Sequence, residues 1–305
     1  MKISRIVIVV LAVILGLDLL VLIGVAFFDS AGTPEPVRKV IRIGIIPDPD
    51  RPETEKTIQA FFADCCRAGD SYELRPCYTH SYEEAMAGFT HGTLDLLALN
   101  PACYLQLKRE NLARILAVQK YSEEDKRYNH AVLLSVKPFR HLSATRGSRI
   151  AFSHRYSMNG YMVPYRYLQR QLPEAPERWF SSLTQTGTFR RSFEQLQSGQ
   201  VDLIAVDLGW LKHFEPYRSA PDKFHILWLS PELPESVICV GVAGAYFGAS
   251  VVRQFVGRLW EEAQRNAVFN RNSMAFEPEN FNYETALRQL EIFLYGDIKN
   301  TDGQL

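Results

Sequence analysis

The turn Ser157-Met158-Asn159-Gly160-Tyr161 gathers groups suited to holding a small polar molecule. A hydroxyl, a primary amide and a glycine at a helix start combine side-chain hydrogen bonding with a backbone that permits close approach. Backbone N–H groups and the positive end of a helix dipole there suit an oxyanion. An ordinary capped helix start is the plainer reading of the same five residues. His154 lies in the same loop. Without a fixed nucleophile beside it, it reads as a ligand contact or a surface residue before it reads as a base. Further on, Thr188-Phe189-Arg190-Arg191 precedes another helix. Arg190 or Arg191 can offer an oxyanion a bidentate contact, or stay solvated at the helix start.

No catalytic residues, metal or cofactor are expected. The seven histidines are scattered and none has HExxH spacing. Neither GxSxG nor GxxxxGK[ST] occurs, so a nucleophile elbow and a phosphate-binding loop are both missing. The five cysteines, Cys65, Cys66, Cys77, Cys103 and Cys239, show no CxxC spacing and accompany no histidine cluster, which argues against zinc. Cys65 or Cys66 with Cys77 is the nearest disulfide possibility, and buried free thiols are the favoured alternative. Thirty-four basic residues balance 34 acidic ones, and no basic stripe marks a nucleic-acid surface. The charge pattern points to a small-molecule partner.

The elements that must position these residues are written twice. In the first half, Val40–Ile46 reads as a strand ending in the loop Pro47-Asp48-Pro49-Asp50, followed by a helix over Glu53–Cys66 and a strand over Tyr72–Tyr78. Ser81-Tyr82-Glu83-Glu84 has capping-box spacing and opens a helix that closes near Gly92. An apolar strand, Leu94–Leu99, ends at Asn100. In the second half the strand is Ser148–Phe152, with a polar loop to Gly160 and a helix over Tyr161–Gln171. Ser192-Phe193-Glu194-Gln195 repeats the capping-box spacing, Gly199 closes its helix, and Val201–Val206 ends at Asp207. In both copies an aspartate (Asp95, Asp202) stands three residues after the glycine, and a polar residue (Asn100, Asp207) eight after it.

Alternating strands and helices of this kind imply α/β lobes with parallel-rich sheets covered on both faces. Ligands bind such sheets outside the carboxyl ends of the strands. The expected cleft is therefore lined by Pro47–Asp50, Asn100, Ser153–Gly160 and Asp207. Ala131–Val136 and Ser236–Val242 bracket the second unit as crossovers, giving a hinge. The lobes are expected over 33–132 with 235–305 and over 133–234. Helices over Val251–Phe269 and Tyr283–Phe293 complete the chain.

Ile6–Phe28 is apolar except for Asp18 and long enough to span a bilayer. Lys2 and Arg5 precede it and acidic residues follow, which places the bulk of the chain outside the cytoplasm. A retained anchor over residues 6–28 is favoured by the length of the run. A cleaved signal peptide, with small residues at Ser30-Ala31-Gly32, is the other reading.

The segments IGIIPD (Ile43–Asp48), SYEEAMAGFTHGTLDLLALNPACY (Ser81–Tyr104), RIAFSHRYSMNGYMVP (Arg149–Pro164), GQVDLIAVD (Gly199–Asp207) and ILWLSPELP (Ile226–Pro234) resemble, in order and spacing, the periplasmic phosphate/phosphite/phosphonate-binding family of ABC transporters. The resemblance implies a two-lobed type-II periplasmic binding protein fold. It also implies a phosphonate headgroup held by a Ser-Thr-Ser-Gly-Tyr type turn. Ser157, Gly160 and Tyr161 match that turn, while Met158 replaces a hydroxyl. Phe189 and Arg190 stand where the family often has a histidine that contacts the anion, and Leu99 replaces a frequent aromatic. The ligand set expected on this basis is Pro47, Asp48, Asn100, Tyr104, His154, Ser157, Asn159, Gly160, Tyr161, Thr188, Arg190 and Asp207. The expected partners are a small anionic or polar solute and an ABC transporter permease, or a membrane sensor kinase if a tethered protein reports occupancy.

Overall fold

Short, largely apolar strands, several of them leading into helices, fold here into two mixed sheets. The computed structural model describes residues 39–46, 54–66, 70, 72–120, 127–241, 254, 255, 257–259, 261, 275–277 and 281–296. The chain divides into two compact units, Met1–Lys39 and Val40–Leu305, and all but Lys39 of the first lies outside the described residues. The expected anchor over 6–28 therefore lies outside them too. Among the described residues, no helix is long and apolar enough to cross a membrane.

The strands are β1 (Lys39–Ile45), β2 (Tyr72–Tyr78), β3 (Leu96–Leu99), β4 (Ala113–Lys120), β5 (Ala131–Ser135), β6 (Arg149–Phe152), β7 (Ser182–Gln185), β8 (Leu203–Asp207), β9 (His225–Leu229), β10 (Val237–Gly241) and β11 (Ala275–Glu277). The longer helices are α1 (Thr54–Asp64), α2 (Tyr82–Thr90), α3 (Pro101–Arg109), α4 (Val163–Gln171), α5 (Phe189–Gln197), α6 (Leu208–His213) and α7 (Phe281–Tyr295). One sheet has the order β11-β4-β10-β3-β1-β2 and the other β7-β6-β8-β5-β9. β5 and β10, buried along their whole lengths, lie inside their sheets, while β9 at an edge leaves Ile226 and Leu229 exposed.

The two sheets are less parallel than the sequence reading expects. β1 pairs with β3, and β6 with β7 and β8, in parallel. β10 is antiparallel to β3 and β4, and β5 is antiparallel to β8 and β9. A parallel neighbour needs a helical crossover within its own sheet. β5 and β10 each arrive from the other sheet, so neither is bound by that requirement. Their approaches are stitched together: Leu233 N donates to Asn129 O at 2.9 Å, Asn129 Nδ2 donates to Leu233 O at 2.6 Å, and Ala131 N donates to Ser230 Oγ at 2.9 Å. α7 packs on both α3 and α4. From α4, Arg166 donates to Phe293 O and Gly296 O, at the carboxyl end of α7, where a cation is favoured.

The internal repeat is structural. Arg42, on β1, gives its backbone N–H (2.8 Å) and its guanidinium (2.8 and 3.0 Å) to the carboxylate of Asp95. Arg149, on β6, does the same to Asp202 at 2.8, 3.0 and 3.1 Å. Each aspartate N–H returns a bond to the arginine carbonyl. Gly92 and Gly199 precede these aspartates in the left-handed region, with φ of 74° and 72°, which a side chain would resist.

In the first copy Ser81 is the cap, its Oγ accepting from Glu84 N at 3.1 Å, while the Glu84 carboxylate reaches one residue further back and accepts from His80 N at 2.6 Å. In the second copy the helix starts one turn earlier than Ser192. Thr188 is the cap, accepting from Arg191 N at 3.1 Å, and buried Ser192 bonds Thr186 inside the fold. The earlier start puts Phe189, Phe193 and Leu196 on one face against Trp210. All five cysteines are free thiols, and Cys65, Cys103 and Cys239 are buried.

The Arg149 guanidinium foremost, and also Lys137 at 2.7 Å, hold the Asp202 carboxyl well below the usual carboxylate range. A lowered folded-state pKa stabilises above the unfolded value of about 3.9 and loses that contribution as pH falls below it. Asp202→Asn is expected to lower the melting temperature at pH 7. Thermal melts from pH 7 to pH 3 should show the gap between wild type and variant closing in the acid range.

Candidate functional site

The parallel strands β6 and β8 end side by side at Phe152 and Asp207. Past Phe152 the chain is pinned by Ser153, whose N–H donates to Gly160 O at 3.2 Å and whose carbonyl accepts from Gly187 N at 2.7 Å. The loop thus closed turns back through His154–Ser157. Tyr161 N and Met162 N both donate to Ser157 O, at 3.0 and 2.9 Å, producing a wide π-type turn over Met158–Met162 that runs into α4. Such turns are uncommon and often sit at functional positions. Ser157 Oγ accepts from Gly160 N at 3.0 Å, so this N–H is already used by the protein.

Gly160 is where the loop has no room. A Cβ there would run into Ser153 Oγ and lie 2.6 Å from Phe189 Cε1 and 2.9 Å from Ser157 Oγ. Next to it, Asn159 is buried and its amide donates to Asp207 Oδ2. Asp207 also caps α6, accepting from Trp210 N at 2.6 Å. Two buried polar atoms of this loop, Asn159 Oδ1 and Ser153 Oγ, have no hydrogen-bond partner among the described residues. Buried polar groups are almost always paired, so two orphans flanking one glycine mark the place.

The other sheet meets this loop at the end of β3. Asn100 caps α3, accepting from Cys103 N at 3.0 Å, and gives its amide to Tyr156 O at 2.8 Å. Cys103 Sγ donates to the same carbonyl at 3.3 Å. The first turn of α2 adds a second contact. Tyr82 stacks on Tyr156 with ring centroids 6.0 Å apart and lies 5.3 Å from the His154 ring. Glu83 pairs with Arg155 at 3.3 Å and approaches His154 Nε2 at 3.7 Å. Burial is the main influence on His154 and lowers its pKa, aided by Arg155 and opposed by Glu83. The imidazole is therefore neutral at pH 7. Its Nδ1 accepts from Tyr156 N at 3.2 Å, which leaves the proton on Nε2, towards Glu83.

Of the expected ligand residues, Asn100, His154, Ser157, Asn159, Gly160 and Asp207 come together at this junction. Tyr104 is buried in the apolar cluster beneath α3. Tyr161 stacks on Tyr165 and meets Phe152 edge-on, among the apolar side chains of the second sheet. Thr188 caps α5, and Arg190 lies over the Phe214 ring at 5.1 Å. Pro47 and Asp48 lie outside the described residues. Ser153 and Tyr156 fall within the cleft lining expected from the sequence, and Phe189 was singled out there as a departure from the family, whereas Tyr82, Glu83 and Cys103 carried no site expectation. The capping box already placed Tyr82 and Glu83 at a helix start, which was the available signal for those two. Tyr156 acts through a backbone carbonyl, for which no side-chain pattern exists. Among the described residues no cluster of three or more His, Cys, Asp or Glu is arranged to hold a metal.

Two mixed α/β sheets are joined by paired crossovers, and a capped strand end from each reaches one polar loop. Residues 43–245 match the family of periplasmic substrate-binding proteins of phosphonate ABC transporters, and the chain belongs to that family. Its fold is shared with PhnD1 from Prochlorococcus marinus, solved in complex with methylphosphonate, at TM-score 0.62, 16% identity and coverage of 83% of this chain and 98% of that one. A binding protein component of an ABC phosphonate transporter from Pseudomonas aeruginosa matches at TM-score 0.64 and 14% identity, over 84% and 86% of the two chains. A Xanthomonas citri protein solved bound to ATP matches at TM-score 0.65 and 14% identity, over 84% and 97%. No curated protein matches the chain by sequence.

Gly160→Ala is expected to destabilise the protein by about 1–3 kcal/mol, the range for overpacking a filled site. Gly257→Ala is the control, since a Cβ at that exposed helical position meets nothing within 4 Å. Chemical denaturation should show the control unchanged or up to about 1 kcal/mol more stable.

Proposed function

We propose that the chain is an extracytoplasmic receptor that closes its two lobes on a small polar solute and delivers it to an ABC transporter permease. The observation that carries this reading is the junction of Asn100 and Asp207, the caps at the ends of β3 and β8, with a single loop holding two orphaned buried atoms, Ser153 Oγ and Asn159 Oδ1. Leaving a buried polar group unpaired costs about 1–3 kcal/mol, and a solute that hydrogen-bonds there removes the cost. Membership of the substrate-binding family supports delivery to a permease. The phosphonate expected from the family meets an altered shell. Met158 is buried with apolar neighbours, Phe189 abuts Gly160, and Gly160 N–H is taken by Ser157. The reading therefore specifies a small polar solute and does not require a phosphonate. The apolar run over residues 6–28 is read as a tether that keeps the receptor at the membrane.

A melting-temperature screen of the full chain in detergent, against phosphate, phosphonates, sulfonates, amines, amino acids and sugars, tests the receptor. A solute at a hundred times its dissociation constant stabilises the bound form by about 2.7 kcal/mol. One chemical class should raise the midpoint in a saturable way, and Asn100→Ala should weaken that response. No response from any class would refute the reading. For the tether, fractionated cells should yield the protein with membranes and with an intact N-terminus by mass spectrometry. Recovery as a soluble product starting near residue 31 would show cleavage.

A further inference from the structure

We propose that the outer edge of β9 is where a second copy of this chain joins, by antiparallel pairing of β9 with β9 across a two-fold axis. β9 ends the second sheet, with β5 on one side and no strand on the other among the described residues. The large apolar side chains exposed among the described residues are Val136 (37%), Ile226 (47%), Leu229 (45%) and Ile292 (50%), and the first three gather at this edge. Val136 follows Ser135, which pairs with His225. Ile226 and Leu229 stand three apart, so regular alternation would send them to opposite faces. The register slip between Leu133 and Leu134 prevents that. Leu133 pairs with Trp228 and Leu134 with Ile226, which leaves Leu227 as an extra residue. Ile226 then lies opposite Leu134 and Leu229 opposite Val132, both of one apolar cluster, so the two exposed side chains share a face. The bulge thus builds an apolar pair at the edge.

Edges left open to solvent are ordinarily guarded by charged side chains or proline. β7, at the other end of the sheet, is largely polar, with Ser182, Thr184 and Gln185. β9 reads His-Ile-Leu-Trp-Leu and contains no Asp, Glu, Lys, Arg or Pro. On its opposite face Trp228 stacks on Tyr167 with ring centroids 4.1 Å apart, which holds the strand in place. The edge is also self-complementary. With the two-fold axis between Leu227 and Trp228, Ile226 of one copy lies opposite Leu229 of the other, and the four side chains form one apolar stripe. In the same register Lys223, ahead of the strand, faces Glu232, behind it, in the other copy, and both are exposed. Asp222 falls opposite Leu233. With 34 basic and 34 acidic residues, two copies carry no net charge to oppose association. The joint is isologous, so it closes the open edge of both copies at once.

Native mass spectrometry of the full chain released from detergent micelles, over a dilution series, counts the copies. The wild type should be dimeric at the upper concentrations and dissociate on dilution. Leu229→Lys puts a charge into the joint and should raise the half-dissociation concentration by at least about tenfold. Its melting temperature should stay near wild type, because the side chain is exposed. Glu232→Lys should weaken the dimer as well, since like charges then face each other. Adding Lys223→Glu should restore it, a recovery that association through another surface would not show. A wild type that is monomeric throughout would overturn the inference, whether or not cross-linking in cells traps β9 against another protein. A Leu229→Lys dimer as tight as wild type would overturn it too, placing the contact elsewhere in the chain. The receptor reading is decided separately, by the melting screen.

Discussion

The arginine–aspartate fork, built twice, is the constraint from which the rest of the arrangement follows. In each sheet an arginine on the first parallel strand offers one backbone and two side-chain donors to an aspartate that enters the neighbouring strand. The bond is charge-assisted and forked, so it specifies direction as well as distance. It locks β3 against β1 and β8 against β6. A slip of one residue would send every side chain of the second strand to the opposite face. With the register set, β3 must end at Asn100 and β8 at Asp207, and each polar residue caps the helix that follows.

The meeting of the two sheets is a consequence of those two strand ends. One cap donates to the Tyr156 carbonyl, and the other holds Asn159 of the same loop. The paired crossovers at 129–131 and 230–234 and helix α7, which packs on α3 and α4, tie the two sheets together. The contacts of Tyr82, Glu83 and Asn100 with His154–Tyr156 are polar or aromatic.

How much of this was legible beforehand varied with the type of signal. The glycine–x–x–aspartate spacing exposed both forks, because a left-handed glycine and a charged anchor are residue-type requirements. Ser81 announced its helix for the same reason. The second cap was misplaced because Ser192 and Glu194–Gln195 mimic a start, while the choice of Thr188 depends on the tertiary contact of Phe189 and Phe193 with Trp210. The antiparallel course of β5 was hidden, since strand direction depends on where the preceding chain comes from and not on the strand's own residues. Arg190 looked like an anion contact by chemistry alone, but its neighbour Phe214 is set by packing. Loop residues that act through main-chain atoms leave no trace in residue type.

Hydrogen exchange by mass spectrometry, with and without the stabilising solute, tests the location of the site most directly. The account predicts slowed exchange in peptides covering Asn100–Tyr104, Ser153–Tyr161 and Asp207–Leu211, with the outer face of α5 unchanged. Protection confined to α5, or to any region away from those three strand ends, would contradict it.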